Sequence, residues 1–288
     1  MTDVWNLSYP GASLDMVADI DADVVLSSAP EISYGINIPE YVTDGVDGRT
    51  FGRGLQDGMT ILFELDVNGR GNESLARIGK EQLRRVWRGD AVRQDVGSVA
   101  TLRAPSGRVT FGVPQRYSAN DTYMKQGLVR ATVDFAATTD LWFSPEPFST
   151  SVRIVPPPSG GFVAPFVFPL TSSGSANESA LFTVGGEVPT WPVFEIAGPI
   201  QRPAVEVVGL FRLEYGGSLA YDEVLRIDTN PHVRSVTVNG AGVSLTPSSD
   251  RLLAASVPPG VHVLSLFGTS SSGTATATVR GNAAYTTY

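Results

Sequence analysis

Short stretches in which apolar and polar residues alternate, separated by glycine, proline and aspartate, make up most of the chain. Alternation with a period of two is typical of strands that bury one face. In the first half the pattern predicts strands at residues 17–22, 32–36, 61–67, 97–102, 108–113 and 129–135. In the second half it predicts strands at residues 193–197, 204–208, 236–238, 261–267 and 274–279. The chain is therefore predicted to be mainly β.

The stretch 188–203 contains prolines at positions 189, 192, 199 and 203. Proline forbids a helix interior and removes a donor from a strand ladder, so these prolines bound short strands. The apolar residues 193–197 and 204–208 fit two strands, and Gly198-Pro199 marks a turn between them. We predict that a buried element leaves one sheet here and enters another.

One amphipathic helix is predicted between Asn72, a good N-cap, and Gly89, which suits the first position after the helix. Its predicted apolar stripe contains Leu75, Ile78, Leu83, Val86 and Trp87, and its remaining surface carries Arg77, Lys80, Arg84, Arg85 and Arg88. A DNA-reading helix would need a second amphipathic helix beside it, and the neighbouring sequence offers none. We therefore interpret the basic surface as solvated or interfacial.

The 288 residues are enough for two domains, each with its own core. Three consecutive prolines at positions 156–158 are followed by Ser-Gly-Gly, a composition typical of a boundary. We place the boundary near residue 156, between domains 1–155 and 156–288. The evenly spaced short strands of the second domain predict a β-sandwich.

The formal net charge of −8 is unevenly distributed. Residues 1–66 have a net charge of −10, residues 67–130 of +7 and residues 131–288 of −5. Such asymmetry indicates either a charged partner, or acidic and basic blocks that face each other within a subunit or across a subunit boundary. The basic block is modest for a nucleic-acid binder.

The sequence indicates no metal or cofactor site. It has no cysteine, which excludes disulfides and thiolate ligands, and its two histidines, His232 and His262, lack further ligands at defined spacing. Asp19, Asp21 and Asp23 alternate, but the following residues do not match a calcium loop, so an exposed strand face is the better interpretation. The glycines of residues 43–54 match no phosphate-binding motif and predict an exposed loop or hairpin arm.

No catalytic residue is assigned either. Glu195, Asp222, Glu223 and Asp228 are the acids that a glycoside hydrolase could use, but nothing in the sequence places two of them at catalytic distance. For Glu195 we favour a solvent-facing position or a pair with Arg202. Sugar binding without catalysis would need aromatic platforms. Tyr215 and Tyr221, which flank Gly216-Gly217, are better candidates than Trp191 and Phe194, for which burial is expected.

Several passages resemble distal tail proteins, also called minor tail proteins, of long-tailed (siphovirus-type) bacteriophages. Thr190, Pro192, Ile196, Gly198-Pro199 and Pro203 match a proline-rich motif of that family. The helix and residues 109–117, 127–135 and 140–143 resemble its first domain in the same order. Residues 224–229, 236–240, 259–260 and 279–284 resemble its galectin-like second domain. The individual motifs are degenerate, and their order along both domains carries the resemblance.

The resemblance implies a barrel-like or sandwich-like N-terminal domain with one helix, followed by a galectin-like jelly-roll sandwich. It implies a hexameric ring in the virion's tail tip, which joins the tail tube to the tail-tip or baseplate hub proteins and lets DNA pass without specific binding. Synthesis in the host bacterial cytoplasm is expected, because no signal peptide or apolar run of membrane-spanning length is visible. The alternative function is a non-catalytic carbohydrate-binding protein.

Overall fold

The computed structural model describes residues 4–41, 47–154, 179–270 and 272–288. The chain divides into two compact units. The first unit comprises Met1–Pro145 with Tyr285–Tyr288, and the second comprises Glu146–Ala284. The boundary predicted near residue 156 lies among residues 155–178, outside the described part of the chain.

The first unit combines strands with one long helix. Its elements are β1 (Val4–Tyr9), β2 (Ala12–Val17), β3 (Val24–Leu26), β4 (Glu31–Ser33), β5 (Ile36–Asn37), β6 (Glu40–Tyr41), β7 (Thr50–Phe51), β8 (Leu55–Gln56), β9 (Thr60–Asn68), α1 (Glu73–Arg88), α2 (Asp90–Arg93), β10 (Ala100–Arg103), β11 (Val109–Asn120), the 3-10 turn Met124–Gln126, β12 (Leu128–Ala137) and β13 (Trp142–Phe143).

Seven of these strands close into a barrel in the order β10-β1-β2-β3-β9-β12-β11, because β11 pairs back onto β10. Side chains alternate across each strand, so that every second residue of β9 points into the core: Ile61, Phe63, Leu65 and Val67 are all buried. The strands predicted at residues 61–67, 97–102, 108–113 and 129–135 correspond to β9, β10, β11 and β12.

Helix α1 packs its apolar side into the barrel core and begins and ends as predicted. Asn72 accepts hydrogen bonds from the backbone of Ser74 and Leu75, and Gly89 has the left-handed φ of 58° that favours glycine. Gly79 lies so close to β9 that a Cβ there would come within 2.6 Å of Val67 Cγ1.

The apolar stripe predicted for this helix is partly wrong. Leu83 and Trp87 are buried, but Leu75 and Ile78 are 50% and 51% exposed. The core-facing positions are 76, 79, 83 and 87, which follow the helical spacing of three and four residues. Small residues at positions 76 and 79 let the helix approach the sheet, and hydrophobicity alone does not reveal that requirement.

The strand predicted at residues 17–22 is also wrong, because β2 ends at Val17 and residues 18–23 form a turn. The Asp19 carboxylate accepts a hydrogen bond from the backbone N–H of Asp21, as aspartate commonly does in turns. Asn68 Nδ2 donates to the carbonyl of Ile20, and Arg70 pairs with Asp23 at 3.3 Å. The three aspartates are exposed as expected, but on a fixed turn.

The second unit consists of antiparallel strands with one short 3-10 helix. Its elements are β14 (Phe148–Arg153), β15 (Ser179–Val184), β16 (Val193–Ala197), β17 (Ile200–Val207), β18 (Phe211–Glu214), β19 (Ser218–Leu219), β20 (Val224–Asp228), β21 (Ser235–Val238), β22 (Ala241–Gly242), the 3-10 helix Leu252–Ala254, β23 (Gly260–Thr269) and β24 (Thr276–Gly281); β25 (Ala284–Tyr285) spans the division between the units.

These strands form two sheets, ordered β14-β24-β16-β20-β21-β22 and β15-β23-β17-β18, with β19 beside β17. The chain passes from the first sheet to the second between β16 and β17, through Gly198-Pro199, which confirms the predicted change of sheet. Apolar side chains from both sheets share one core, including Phe194, Val205 and Leu266. The predicted fold class is confirmed: the chain is mainly β, with a barrel-like first unit and a sandwich second unit.

Two further predictions in the sandwich are confirmed. Asn239 and Gly240 have φ values of 47° and 86°, the left-handed pair that a tight hairpin between β21 and β22 requires. In β24 and the residue before it, Ala275, Ala277 and Val279 are fully buried, whereas the threonines between them are partly exposed.

Candidate functional site

The first candidate surface is an arm formed by residues 34–41 and 47–58. In the arm, β5 pairs with β8 and β6 pairs with β7, giving two short antiparallel ribbons in succession. Gly52 N–H donates to the carbonyl of Pro39, and Asp57 N–H donates to the carbonyl of Gly35, so backbone hydrogen bonds continue between the ribbons. The predicted hairpin arm agrees with these residues, whereas residues 42–46 lie outside the described chain.

The arm exposes six large apolar side chains. Their exposed fractions lie between 45% and 62%, and they are Tyr34, Ile36, Ile38, Tyr41, Phe51 and Leu55. The buried core of the first unit includes none of them. Since an isolated two-stranded ribbon is marginally stable in water, and a contiguous apolar patch marks an interaction site, this arm is a candidate contact surface.

The second candidate surface is a basic groove between α1 and β11. Lys80, Arg84, Arg88 and Arg93 line it, and Trp87 and Tyr117 contribute aromatic surface; its volume is about 730 Å³. Three of the cations have carboxylate partners. Lys80 pairs with Asp121 at 2.5 Å, and Arg88 and Arg93 both pair with Asp90, at 3.0 and 2.7 Å.

Arg84 differs from these three cations, because it makes no ion pair with any residue that the structure describes. The positive charge of the groove affects the pKa values of two neighbouring side chains, Asp90 and Tyr117. Hydrogen bonding from Arg93, together with the positive charges of Arg88 and Arg93, lowers the pKa of Asp90 below its usual value. Burial raises the pKa of the Tyr117 phenol above its usual value, which the positive charge of Arg84 partly offsets. The groove is therefore a cationic site with an aromatic floor.

Arg85, the next residue along the helix, lies on a different side. It lines a separate depression of about 500 Å³ together with Asp15 and Asp23. Two ion pairs also join the acidic block to the basic block within the first unit, Arg70 with Asp23 and Arg130 with Asp66. Part of the predicted charge asymmetry is thus compensated inside one chain, whereas Arg84 in the groove has no ion pair among the described residues.

The third candidate surface is the turn at residues 18–23, which we call the acidic turn. Ile20 is 79% exposed at this turn, and Asp19 and Asp21 on either side of it have no ion pair among the described residues. The hydrogen bond from Asn68 and the bond from Arg70 to the Asp21 carbonyl fix its backbone. A rigid apolar tip between two carboxylates suits recognition by a cationic, apolar pocket.

The carboxylates considered for catalysis occupy structural positions. Glu195 pairs with Arg226 at 2.9 Å and with Arg280 at 3.8 Å, so the predicted pair with Arg202 is wrong; Arg202 pairs with Glu214 instead. Glu195 lies between β20 and β24, so arginines on its two neighbouring strands are nearer than Arg202.

The remaining acids are also engaged in local structure. Glu223 accepts a hydrogen bond from the backbone N–H of Ala220, and Asp228 accepts one from Asn230. Asp222 provides its backbone carbonyl to Asn239 Nδ2 at 3.4 Å. Glu195 and Asp228 both pair with Arg226, at 2.9 and 3.8 Å, so these two acids lie on either side of one guanidinium group.

The histidines and the aromatic residues considered for sugar binding each lie in different surroundings. His262 Nε2 lies 2.8 Å from the carbonyl of Pro258, and His232 is exposed beside Arg234 and Arg251. Tyr215 packs against the sandwich core, whereas Tyr221 is 78% exposed. Phe194 is buried as expected, whereas Trp191 is only partly buried. These positions do not form an aromatic platform for a sugar.

Neither a metal cluster nor a membrane-spanning helix is found in the described residues. Within residues 4–41, 47–154, 179–270 and 272–288, no group of three or more histidine or carboxylate side chains is arranged to hold a metal ion. No helix in the same ranges is long and apolar enough to cross a membrane.

Comparison with solved structures identifies the same arrangement along nearly the whole chain. SPP1 Dit (gp 19.1), described as a paradigm of the hub adsorption apparatus in phages that infect Gram-positive bacteria, matches 97% of this chain and 99% of its own, with a TM-score of 0.57 and 15% identity. This chain has the fold of a phage hub protein. The resemblance to distal tail proteins predicted from the sequence is confirmed for the fold.

Two structures of the phage p2 baseplate in its activated conformation are also similar to this chain. The one with Ca matches 97% of this chain and 98% of its own, with a TM-score of 0.50 and 13% identity. The one with Sr matches 98% of both chains, with a TM-score of 0.51 and 15% identity. No protein-family model matches the chain, and a search of curated proteins gave no match.

Sequence reasoning placed Arg84 among five basic residues of the helix and predicted an exposed loop or hairpin arm at residues 43–54, but it did not identify the groove. Arg93 and Tyr117 reach the groove from α2 and β11, and only the tertiary fold places them beside Arg84. It also did not recognise the exposed Ile20 as a tip, because the alternation at residues 17–22 predicts a strand.

Proposed function

We propose that this protein is a structural component of a phage tail tip. Copies of the chain close into a ring, six as the family resemblance implies, which joins the tail tube to the tail-tip or baseplate proteins. The observation that carries this proposal is the likeness to a phage hub protein over 97% of the chain, which includes both units. The order of motifs along the sequence supports the same proposal independently, through its resemblance to distal tail proteins.

The arm supports the assembly step. Burying its six exposed apolar side chains against a second copy would release water from apolar surface and stabilise the ribbons that carry them. A ring requires head-to-tail contacts, in which one face of a subunit meets a different face of the next. The exposed apolar side chains of the arm would provide one of the two faces of such a contact.

In this proposal the protein works by assembly and catalyses no reaction. The second unit serves as a platform for other tail-tip proteins, and DNA passes through the ring without specific binding. The protein then belongs to the virion, after synthesis in the host bacterial cytoplasm. The ion-paired positions of Glu195 and Asp228 agree with a structural role for these acids.

Negative-stain electron microscopy of the purified full chain, alone and mixed with the tail tube protein of the same phage, tests the proposal. We expect closed rings with six-fold averages in at least one condition. Single particles of monomer size in both conditions, over a wide range of protein concentration, would refute the ring. A glycan-binding screen on the same preparation then tests the alternative function.

A further inference from the structure

We infer that the basic groove of one copy receives the acidic turn of the next copy. This inference rests on the proposed ring and names one of its contacts. The occupant is the turn at residues 18–23 of a second copy of this chain, with Ile20 directed at the aromatic floor of the groove.

The chemistry of the two surfaces is complementary. The groove offers the unpaired guanidinium of Arg84, and the partly exposed Tyr117 and the almost completely buried Trp87 also line it. The acidic turn offers the exposed Ile20 between the carboxylates of Asp19 and Asp21. Pro114, Tyr117 and Ala119 in the groove give the Ile20 side chain apolar surface to contact, and the charges around it fix the register and disfavour other partners.

The acidic turn fits better than the arm does. In the arm, Glu40 already pairs with Arg49 at 3.1 Å, and Arg53 adds a further positive charge. The carboxylates of Asp19 and Asp21 make no ion pair among the described residues, because the nearby Arg70 binds the Asp21 carbonyl and the Asp23 carboxylate instead. The arm therefore offers apolar surface with little net charge. The turn offers an apolar side chain together with negative charge, which is complementary to the positive charge of the groove.

The positions of the two surfaces fit a contact between copies. The turn borders the depression that contains Arg85, as Ala22 and Asp23 line that depression. The groove contains Arg84 and lies on the side of the helix that faces β11. Asn68 and Arg70 hold the turn on its own barrel. One subunit thus presents the turn and the groove on two different faces, as head-to-tail contacts require.

The helix provides a matched pair of variants for the first test. Arg84→Asp places a negative charge in the groove, and Arg85→Asp makes the same change one residue away, beside Asp15 and Asp23. We expect Arg84→Asp to raise the protein concentration at half-assembly at least about tenfold, and Arg85→Asp to raise it less than about threefold. Adding Asp21→Arg to Arg84→Asp should recover a large part of the loss. Thermal melts establish that each variant is folded.

Introduced cysteines test the contact itself, because the chain has none. Ile20→Cys and Gln115→Cys are prepared separately, mixed and oxidised, so that any disulfide joins two copies. We expect a cross-linked dimer in this mixture and none above background when Ser248→Cys, in the second unit, replaces Gln115→Cys.

Assembled rings that give no cross-link between positions 20 and 115 above the Ser248→Cys background would overturn the inference and leave the proposed ring standing. Assembly of Arg84→Asp at the wild-type concentration would overturn it in the same way. If the wild-type chain forms no ring under any condition tested, including with the tail tube protein, the proposed function fails and this inference fails with it.

Discussion

Both units contain ion pairs and exposed apolar side chains, but they arrange them differently. In the second unit, Glu195 pairs with arginines on both strands beside it. In the other sheet of that unit, Glu214 pairs with Arg202 and Arg212. In the first unit Arg84, Asp19 and Asp21 have no ion pair among the described residues, and the arm exposes its apolar side chains.

This difference separates two uses of a protein surface. Ion pairs between exposed strands contribute little free energy, but they leave the sheet surface with balanced charge. Exposed charges without ion pairs are solvated in an isolated chain, and an apolar ribbon outside the core is only marginally stable there, so both gain partners in an assembly. For the proposed ring, we therefore expect the contacts between copies in the first unit.

The largest expected effect comes from removing the apolar surface of the arm. A variant with Ile36→Ser, Phe51→Ser and Leu55→Ser should assemble only at much higher concentration, because the burial that drives association is lost. Light scattering measures the change. The stability of the monomer should change by no more than about 0.5 kcal/mol per site, since all three side chains are exposed.

The matched control lies in the second unit. Leu181→Ser and Val261→Ser also remove exposed apolar side chains, which are 69% and 66% exposed. If this control weakens ring formation as much as the arm variant does, the assignment of the contacts to the first unit is wrong.

The next effect is on the stability of the first unit. Trp87 is buried, and its ring packs edge-on against the Phe63 ring with 6.2 Å between the ring centroids. Its indole N–H donates to the carbonyl of Asp134. Trp87→Ala should lower the free energy of unfolding by about 3–5 kcal/mol. Leu75→Ala, an exposed position on the same helix, should change it by less than about 0.5 kcal/mol. Urea titration followed by circular dichroism compares the two, and equal losses would contradict the helix orientation.

A smaller effect is expected from the ion pairs of the second unit. Glu195→Gln removes the charge that Arg226 and Arg280 share, and should cost about 0.2–1 kcal/mol at low salt, because the arginines are at least half exposed. The loss should shrink in high salt. A loss above about 3 kcal/mol, independent of salt, would mean that these charges are more than surface pairs.

The smallest effect concerns the groove at alkaline pH. Burial raises the pKa of Tyr117 in the folded state, so the folded chain keeps its proton at a pH where the unfolded chain loses it. The contribution of Tyr117 to stability is complete below the pKa of the unfolded state and falls as pH rises through the folded value. Between about pH 9 and pH 11, melting temperatures should fall more for the wild type than for Tyr117→Phe. An equal fall would place the phenol in solvent.

Much of the fold is predictable from the sequence because its signals are local. The caps of α1 at Asn72 and Gly89, the Asn239-Gly240 hairpin and the strands bounded by Pro192 and Pro199 depend on residues that are neighbours in the chain. Leu75 and Ile78 show the limit of prediction from local sequence. Their hydrophobicity favours burial, but the fold turns the small residues at positions 76 and 79 towards the barrel.

The candidate surfaces were less predictable for the same physical reason. Nothing local distinguishes Arg84 from Arg85, and the difference between them arises from β11 on one side and Asp15 and Asp23 on the other. Similarly, Glu195 finds its arginines across strand pairings that are distant in sequence. Which charges are compensated depends on the tertiary fold.

Native mass spectrometry of the full chain, at low and moderate salt and over a range of concentrations, tests the proposed ring most directly. We expect a species near six times the subunit mass of 30.6 kDa that loses population when the arm is changed and keeps it when Leu181 and Val261 are changed. A monomer at every concentration, with and without the tail tube protein, would contradict assembly into a ring.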